Sequence, residues 1–167
     1  METIVNRVAN SGLITLHLEE ILETQKFIKV DLRPILWQGL VLREKDLKEF
    51  LMQEVLEEWK DAVVWIDSPE DVILPQWTLL MMQAKWWNHV KLVAAGPLEN
   101  AQDAFLRNWI NQLNESEYKD QRVIIKGFTD QRITLQLQMA LAQKLLPWVK
   151  SLMFGEPCST VPLYKRP

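Results

Sequence analysis

A thiol and two hydroxyls lie together near the C-terminus. Cys158 is the only cysteine of the sequence, and it stands between Gly155 and the pair Ser159 and Thr160. A thiol just after a strand can be activated by a helix N-terminus or a nearby cation. Cys158 is therefore a candidate nucleophile or ligand, with Ser159 and Thr160 as hydrogen-bond donors. The favoured alternative is a buried or half-exposed, unreactive cysteine, since free cysteines are among the most buried residues.

Carboxylates follow two short apolar runs in the middle of the chain. Asp71 and Asp130 each precede a predicted helix, where capping is favoured over acid–base catalysis. Three carboxylates within five residues, Asp67, Glu70 and Asp71, could bind a hard cation, but they lack the spacing and glycine of a calcium loop. The sequence leaves the metal and any cofactor unknown. The candidate catalytic and ligand-binding residues at these turns are Asp67, Ser68, Asp71, Gly127 and Asp130.

Several function classes find no support in the composition. A net charge of −3 and a pI near 5.5 argue against a nucleic-acid binder, which needs clustered basic residues. The sequence has no glycine-rich phosphate loop, no nucleophile elbow, and two histidines outside any ligand-spaced motif. The lack of a signal peptide or long apolar stretch, together with the single cysteine, predicts a cytoplasmic protein without membrane association.

The chain nearly repeats itself at an offset of 59 residues, without gaps. Ten of the 39 positions in 58–96 are identical to their counterparts in 117–155, where average residue usage gives roughly two or three. Other pairs exchange one apolar residue for another, as in Leu80/Met139 and Trp87/Leu146. We interpret the pattern as an internal βαβ duplication.

Strand and helix patterns alternate through the body of the chain. The predicted strands are 35–42, 63–66, 90–95, 123–125 and 149–154, and the predicted helices are 43–59, 74–89, 99–113 and 133–146. Such alternation predicts an α/β fold with a mostly parallel sheet covered by helices. Residues 13–31 predict one or two antiparallel strands.

The length of 167 residues favours a single domain. It would contain an N-terminal strand segment (1–34), the alternating body (35–154) and an extended tail (155–167), whose prolines favour a loop or a strand lying on the body. Most of the eight Trp residues are expected in the core. Trp86 and Trp87 must point in different directions, so we expect one inside and the other against a loop or a partner subunit.

Three segments carry a resemblance that spans essentially the whole chain. They are Ser11-Gly12-Leu13-Ile14 at the start, Trp37-Gln38-Gly39-Leu40 with Leu42-Arg43-Glu44-Lys45-Asp46 in the centre, and Gly155-Glu156-Pro157-Cys158-Ser159-Thr160-Val161-Pro162 at the end. Together they resemble an uncharacterised protein family of Bacteroidetes. Its function is unknown, so the resemblance implies no activity.

The resemblance implies two further expectations. Family members tend to have a cysteine in the turn before each repeat helix, whereas this chain has Ser68 and Phe128 there, so a metal site of several cysteines is not expected. Genes of the family often lie beside iron–sulfur cluster assembly genes, which implies an accessory role in that process.

Three hypotheses for function remain. The first is an accessory or interaction protein without an assignable reaction, forming a homodimer, because surplus Trp residues and a non-periodic tail suit protein contacts. The second is an enzyme or metal-handling protein that uses Cys158 at the carboxyl ends of the strands, with Asp67, Asp71 or Asp130 as base. The third is a small-ligand-binding protein.

Overall fold

The computed structural model describes residues 6–7, 12–53, 57–68, 71–126 and 130–167. The chain divides into two compact units, unit 1 (Met1–Thr24 and Leu106–Pro167) and unit 2 (Gln25–Phe105). The expectation of a single domain over 1–167 stays a prediction.

The described residues form eight strands and five α-helices. In chain order these are β1 (Asn6–Arg7), β2 (Leu13–Leu16), α1 (Leu18–Glu23), β3 (Phe27–Val30), α2 (Glu44–Leu51), β4 (Val63–Ile66), α3 (Trp77–Trp86), β5 (Leu92–Ala95), α4 (Leu98–Gln112), β6 (Arg122–Ile125), α5 (Leu135–Leu145), β7 (Ser151–Glu156) and β8 (Ser159–Lys165). Short 3₁₀ turns lie at Arg33–Ile35, Glu57–Trp59 and Glu115–Tyr118. No helix in the described ranges has the length and apolar character to span a membrane.

Unit 1 contains a sheet in the order β1-β2-β6-β7-β8. The central strands β2, β6 and β7 are parallel, and the edge strands β1 and β8 pair antiparallel with their neighbours. Thr134 is the N-cap of helix α5, and its hydroxyl accepts a hydrogen bond from the Leu137 N–H at 3.3 Å. Buried side chains of this unit come from both the strands and α5, among them Leu16, Val123, Ile125, Leu137, Leu141, Leu145 and Leu152.

Unit 2 contains the parallel sheet β3-β4-β5. The β-branched run Val63-Val64 begins its central strand, where burial on both faces suits such residues. One contiguous apolar core holds the unit together; its buried members are Val30, Leu32, Leu42, Leu47, Leu51, Val64, Ile66, Met82, Trp86 and Val90. Exposed ion pairs at helical spacing, such as Glu44 with Lys48 at 2.5 Å, lie on the outside of α2.

The segments β4-α3-β5 and β6-α5-β7 match position by position. The buried positions of α3, which are Thr78, Met82 and Trp86, have the buried counterparts Leu137, Leu141 and Leu145 in α5. Asp61 and Asp120 both have a positive φ, of 61° and 58°. The same backbone hydrogen bond precedes the last strand of each segment, at 2.9 Å from Lys91 to Ala62 and at 2.8 Å from Lys150 to Gln121. Both segments are thus parallel βαβ units; their origin by duplication stays a prediction.

The predicted α/β class with mostly parallel strands is confirmed, but the strands form two sheets and not one. The reason lies in residues 13–31, where one or two antiparallel strands were predicted. Strand β2 pairs antiparallel with β1 but parallel with β6, and β3 pairs parallel with β4. Helix α1 separates β2 from β3, and each strand then pairs parallel with a different βαβ segment, β2 with β6 and β3 with β4. Each segment therefore acquires its own third strand.

The strand predicted at 35–42 is also wrong. Pro34 lies in a 3₁₀ turn, and Gln38 and Gly39 adopt positive φ values of 51° and 71°. The Trp37 N–H then donates to the Val41 carbonyl at 2.8 Å, which closes a tight loop. The helix predicted at 43–59 ends at Leu51, and residues 54–56 lie outside the described ranges.

The remaining predicted elements are present with shifted ends. The tail forms a strand, β8, paired antiparallel with β7, which is one of the two predicted alternatives. Trp86 is buried and Trp87 is exposed, as their opposite directions require. The expectation that most Trp residues lie in the core is wrong, because Trp86 is the only one of the eight that is buried.

Candidate functional site

The predicted site residues of unit 2 follow strand β4. The Asp67 carboxylate lies 3.3 Å from Lys29 Nζ, and this ammonium also lies 4.7 Å from the centroid of the Trp65 ring. Ser68 and Asp71 are exposed. Asp67 is therefore neutralised by a lysine of the neighbouring strand, while Ser68 and Asp71 face solvent.

The predicted site residues near the C-terminus form the β7–β8 hairpin of unit 1. Pro157 and Cys158 occupy its two-residue turn, since Glu156 pairs with Ser159. Cys158 is exposed, so the expectation of a buried or half-exposed thiol is wrong: a turn at the sheet edge leaves its side chain in water. Gly155 pairs with Thr160, whose hydroxyl lies 3.9 Å from Met153 Sδ.

Asp130 binds Arg132 in unit 1. Its Oδ1 accepts from the Arg132 N–H at 2.9 Å and from Nε at 3.0 Å, and its Oδ2 accepts from Nε at 2.7 Å and from Nη2. These hydrogen bonds from Arg132 lower the pKa of Asp130 below its ordinary value of 3.8, against the opposing effect of burial. The Asp130 N–H also donates to Glu19 Oε1 at 3.3 Å.

Neither aspartate caps its helix, so that prediction is wrong. Helix α5 begins after Thr134 and helix α3 after Gln76, which makes no side-chain capping bond. Asp71 and Asp130 lie too far upstream for a side chain to reach the first free N–H groups. Asp130 instead closes a turn on Arg132.

The predicted residues do not converge on one reaction centre. Among the described residues of unit 1, no hydrogen bond or ion pair joins Cys158 to Asp130. No group of three or more His, Cys, Asp or Glu is placed to hold a metal ion in the parts of the chain that the structure describes. Gly127 lies outside the described residues.

Two clefts were missed by the sequence reasoning. In unit 2 a cleft of about 450 Å³ is lined by Trp37, Arg43, Asp46 and Phe50, among other residues. Arg43 donates to both oxygens of Asp46, at 2.6 and 2.9 Å, and its guanidinium carbon lies 5.6 Å from the Trp37 ring centroid. The hydrogen bond from Arg43 lowers the pKa of Asp46. Because Arg43 and Asp46 bind each other, neither of these two charges is left unpaired to attract a charged ligand into this cleft.

The second cleft, of about 360 Å³, lies in unit 1 at the amino ends of β6 and β7. Arg122, Lys150 and Lys165 line it together with Tyr164 and Met153. In the sequence these basic residues stand at the ends of three separate strands. Their proximity could be predicted only by knowing how the three strands pair.

Nearly the whole chain matches one family of proteins. The profile of a family described as protein of unknown function, DUF2480, matches residues 2–166. The chain belongs to this family. No curated protein and no solved structure gives a significant match. The resemblance to an uncharacterised family of unknown function is thereby confirmed at the level of the family.

For this DUF2480 protein we expect Asp130→Asn to lower the free energy of unfolding at pH 7 by about 1 kcal/mol, because it removes a charged hydrogen-bonded pair whose arginine is partly screened by water. The folded-state pKa of Asp130 is depressed, so its stabilisation is present above the unfolded pKa near 4 and is lost as the pH falls through the folded value. Urea unfolding from pH 7 to pH 2.5 measures the difference, which should shrink on acidification. Asp71→Asn, at the matched but exposed position, should change stability by less than about 0.5 kcal/mol at every pH.

Proposed function

We propose that this protein is a non-catalytic interaction protein that forms a homodimer through the outer face of helix α3. The observation that carries the proposal is a stripe of exposed apolar side chains on that helix. Trp77, Leu80 and Trp87 are exposed by 36%, 71% and 69%, and the exposed Ala84 lies between them. We call these four residues the α3 stripe.

Helical geometry places the α3 stripe opposite the core. Residues three, seven and ten positions apart fall on one face of a helix, and the buried residues Thr78, Met82 and Trp86 lie on the other. The helix is therefore apolar on both faces. A helix of this kind is typical of a buried position, and its outer face supports a contact with another protein.

The charge of the helix favours a second copy of this chain as the partner. Lys85 is the only charged residue within α3. Two copies of a nearly uncharged face can pack around a two-fold axis without like-charge repulsion. The stripe is four side chains along about three helical turns. The area that these side chains can bury is smaller than the roughly 800 Å² per partner of a standard interface. We therefore expect a reversible dimer.

Sedimentation velocity over a dilution series tests the proposal. The wild type should show a concentration-dependent dimer, and Leu80→Glu should be monomeric throughout, because a carboxylate would be desolvated in the interface. Leu80 is largely exposed, so thermal unfolding of the monomeric variant should show an intact fold. Met52→Glu is the matched control: Met52 is 78% exposed and lies on the C-cap of α2, and this variant should dimerise as the wild type does. A wild type that stays monomeric, or a dimer that survives Leu80→Glu, contradicts the proposal.

A location and a pathway are proposed from the family resemblance. The resemblance to the Bacteroidetes family suggests a cytoplasmic protein with an accessory role in iron–sulfur cluster assembly, and Cys158 is the one thiol available for contact with a cluster-carrying partner. The alternative, an enzyme that uses Cys158, receives less support because the thiol is exposed in a turn and no described base contacts it.

A further inference from the structure

Strand register brings together the residues of the 360 Å³ cleft in unit 1. Arg122 pairs with Ser151, and Ser151 pairs with Lys165 across the antiparallel ladder. Directly paired residues point to the same face of a sheet. Met153 lies two residues after Ser151, and its partner Pro162 lies three residues before Lys165 because of a register shift; these two form the next pair on this face. The cleft therefore has a polar row at the strand ends and an apolar floor behind it.

The three cations of this cleft lack counterions within the described residues. Arg122, Lys150 and Lys165 are exposed, and none of them has an ion pair or side-chain hydrogen bond with the described part of the chain. Three other basic residues of unit 1 are paired: Lys126 with Glu156 at 3.9 Å, Lys144 with Glu115 at 2.6 Å and Arg166 with Asp120 at 2.5 Å. In a chain of net charge −3, Arg122, Lys150 and Lys165 have no ion pair among the described residues and line the same cleft.

The matched lysine of unit 2 has side-chain partners, whereas Lys150 has none among the described residues. Lys91 occupies the position that corresponds to Lys150, and its Nζ donates to Gln25 Oε1 at 2.7 Å and lies 5.4 Å from the centroid of the Phe105 ring. The Lys91 ammonium therefore has a hydrogen-bond partner and an aromatic contact within unit 2. Lys150 instead holds the strand ends together through its backbone, accepting from the Arg166 N–H at 2.9 Å, while its side chain lines the cleft.

We propose that this cleft binds a small organic phosphate, with the phosphate among Arg122, Lys150 and Lys165 and an apolar or aromatic body on Met153, Pro162 and Tyr164. No Asp or Glu is among the described lining residues, so nothing there repels a dianion. The planar guanidinium of Arg122 matches two phosphate oxygens, and the lysines add compact charges. The volume is near the lower end of the range for small-ligand sites.

Calorimetry with three probes tests the site on the full chain. Phenyl phosphate should bind, inorganic phosphate should bind several-fold more weakly because it leaves the apolar floor uncovered, and phenol should not bind measurably. Affinity for phenyl phosphate should fall as salt is added. Arg122→Gln should weaken it about tenfold or more, the usual effect of removing one charged hydrogen-bonding partner.

Lys126→Gln is the matched control, because it removes the same charge just beyond the opposite end of strand β6. It should leave the affinity for phenyl phosphate within about twofold of the wild type, and thermal unfolding should show that both variants are folded. The proposal is overturned if phenyl phosphate does not bind, if phenol binds equally well, or if Lys126→Gln weakens binding as much as Arg122→Gln. The site and the α3 interface are on different elements, so Leu80→Glu should retain binding, and failure of one proposal leaves the other standing.

Discussion

Trp86→Ala lowers the free energy of unfolding by about 3–5 kcal/mol, the usual cost of emptying a buried aromatic site. The Trp86 side chain is 3% exposed and belongs to the core of unit 2. Its ring meets Trp59 edge to face at 5.2 Å between centroids and Phe50 at 6.4 Å. The loss therefore combines transfer of a large ring to water, a cavity, and two aromatic contacts. Urea unfolding at pH 7 followed by circular dichroism measures it.

Trp87→Ala is the control on the adjacent residue. Because Trp87 is 69% exposed, its loss should cost less than about 0.5 kcal/mol of folding free energy. Both substitutions are best compared in the Leu80→Glu background, so that the self-association proposed for the α3 stripe would not add to the apparent stability. Equal losses for the two variants would contradict the orientation of α3 in which Trp86 faces the core and Trp87 faces solvent.

The existence and the place of the repeat helices could be predicted from the sequence because they depend on local spacing. The rotation of α3 could not: Trp77, Leu80 and Trp87, whose spacing indicated the helix, lie on its exposed face. Apolar residues at three- and four-residue intervals predicted helices near 74–89 and 133–146, and α3 and α5 lie within those ranges. The offset of 59 also predicted which positions would match: Trp86 and Leu145 are both buried at corresponding places. The predicted helices are longer than the observed ones. The predictions begin at residues 74 and 133, whereas α3 and α5 begin after Pro75 and Thr134, at Trp77 and Leu135.

Strand pairing could not be predicted, because it depends on contacts between distant segments. The alternation in residues 13–31 is equally compatible with a hairpin and with two strands that join different sheets. The structure has the second arrangement, with β2 beside β6 and β3 beside β4. The loop at 37–41 was missed for a different reason: a positive φ at Gln38, which is not a glycine, has no strong signal in the sequence.

The charged sites show the same division between local and distant information. The sequence places Asp130 at a turn, but only the structure shows that Arg132 neutralises it. It also lists Arg122, Lys126 and Lys150 as equivalent charges, whereas the structure gives Lys126 a carboxylate partner and gives the other two none among the described residues. A charged side chain is available to a ligand only if folding gives it no counterion within the protein. The composition of the sequence does not show which side chains these are.

The second large effect is expected at Gly155, where a side chain is excluded by backbone and not by other side chains. Gly155 has a φ of 119°, and a Cβ there would lie 2.7 Å from the Ser159 carbonyl oxygen. That oxygen belongs to the paired strand β8 and cannot rotate away. We expect Gly155→Ala to lower the free energy of unfolding by about 3 kcal/mol or more, from backbone strain and the forced separation of β7 from β8. Urea unfolding measures the loss.

Gly96→Ala is the control that separates the two causes, since Gly96 is the counterpart of Gly155 in the other βαβ segment. Its φ of 93° is also positive, but the atom that a Cβ would meet, at 2.5 Å, is the Asn100 side-chain nitrogen. This side chain can change its rotamer, so only the backbone strain of about 1–2 kcal/mol remains. If both alanine variants lose the same stability, φ alone sets the cost and the contact with Ser159 contributes nothing. A clearly larger loss for Gly155→Ala means that glycine is required there by the close approach of β7 and β8. The same two strands supply the apolar floor of the cleft lined by Arg122, Lys150 and Lys165.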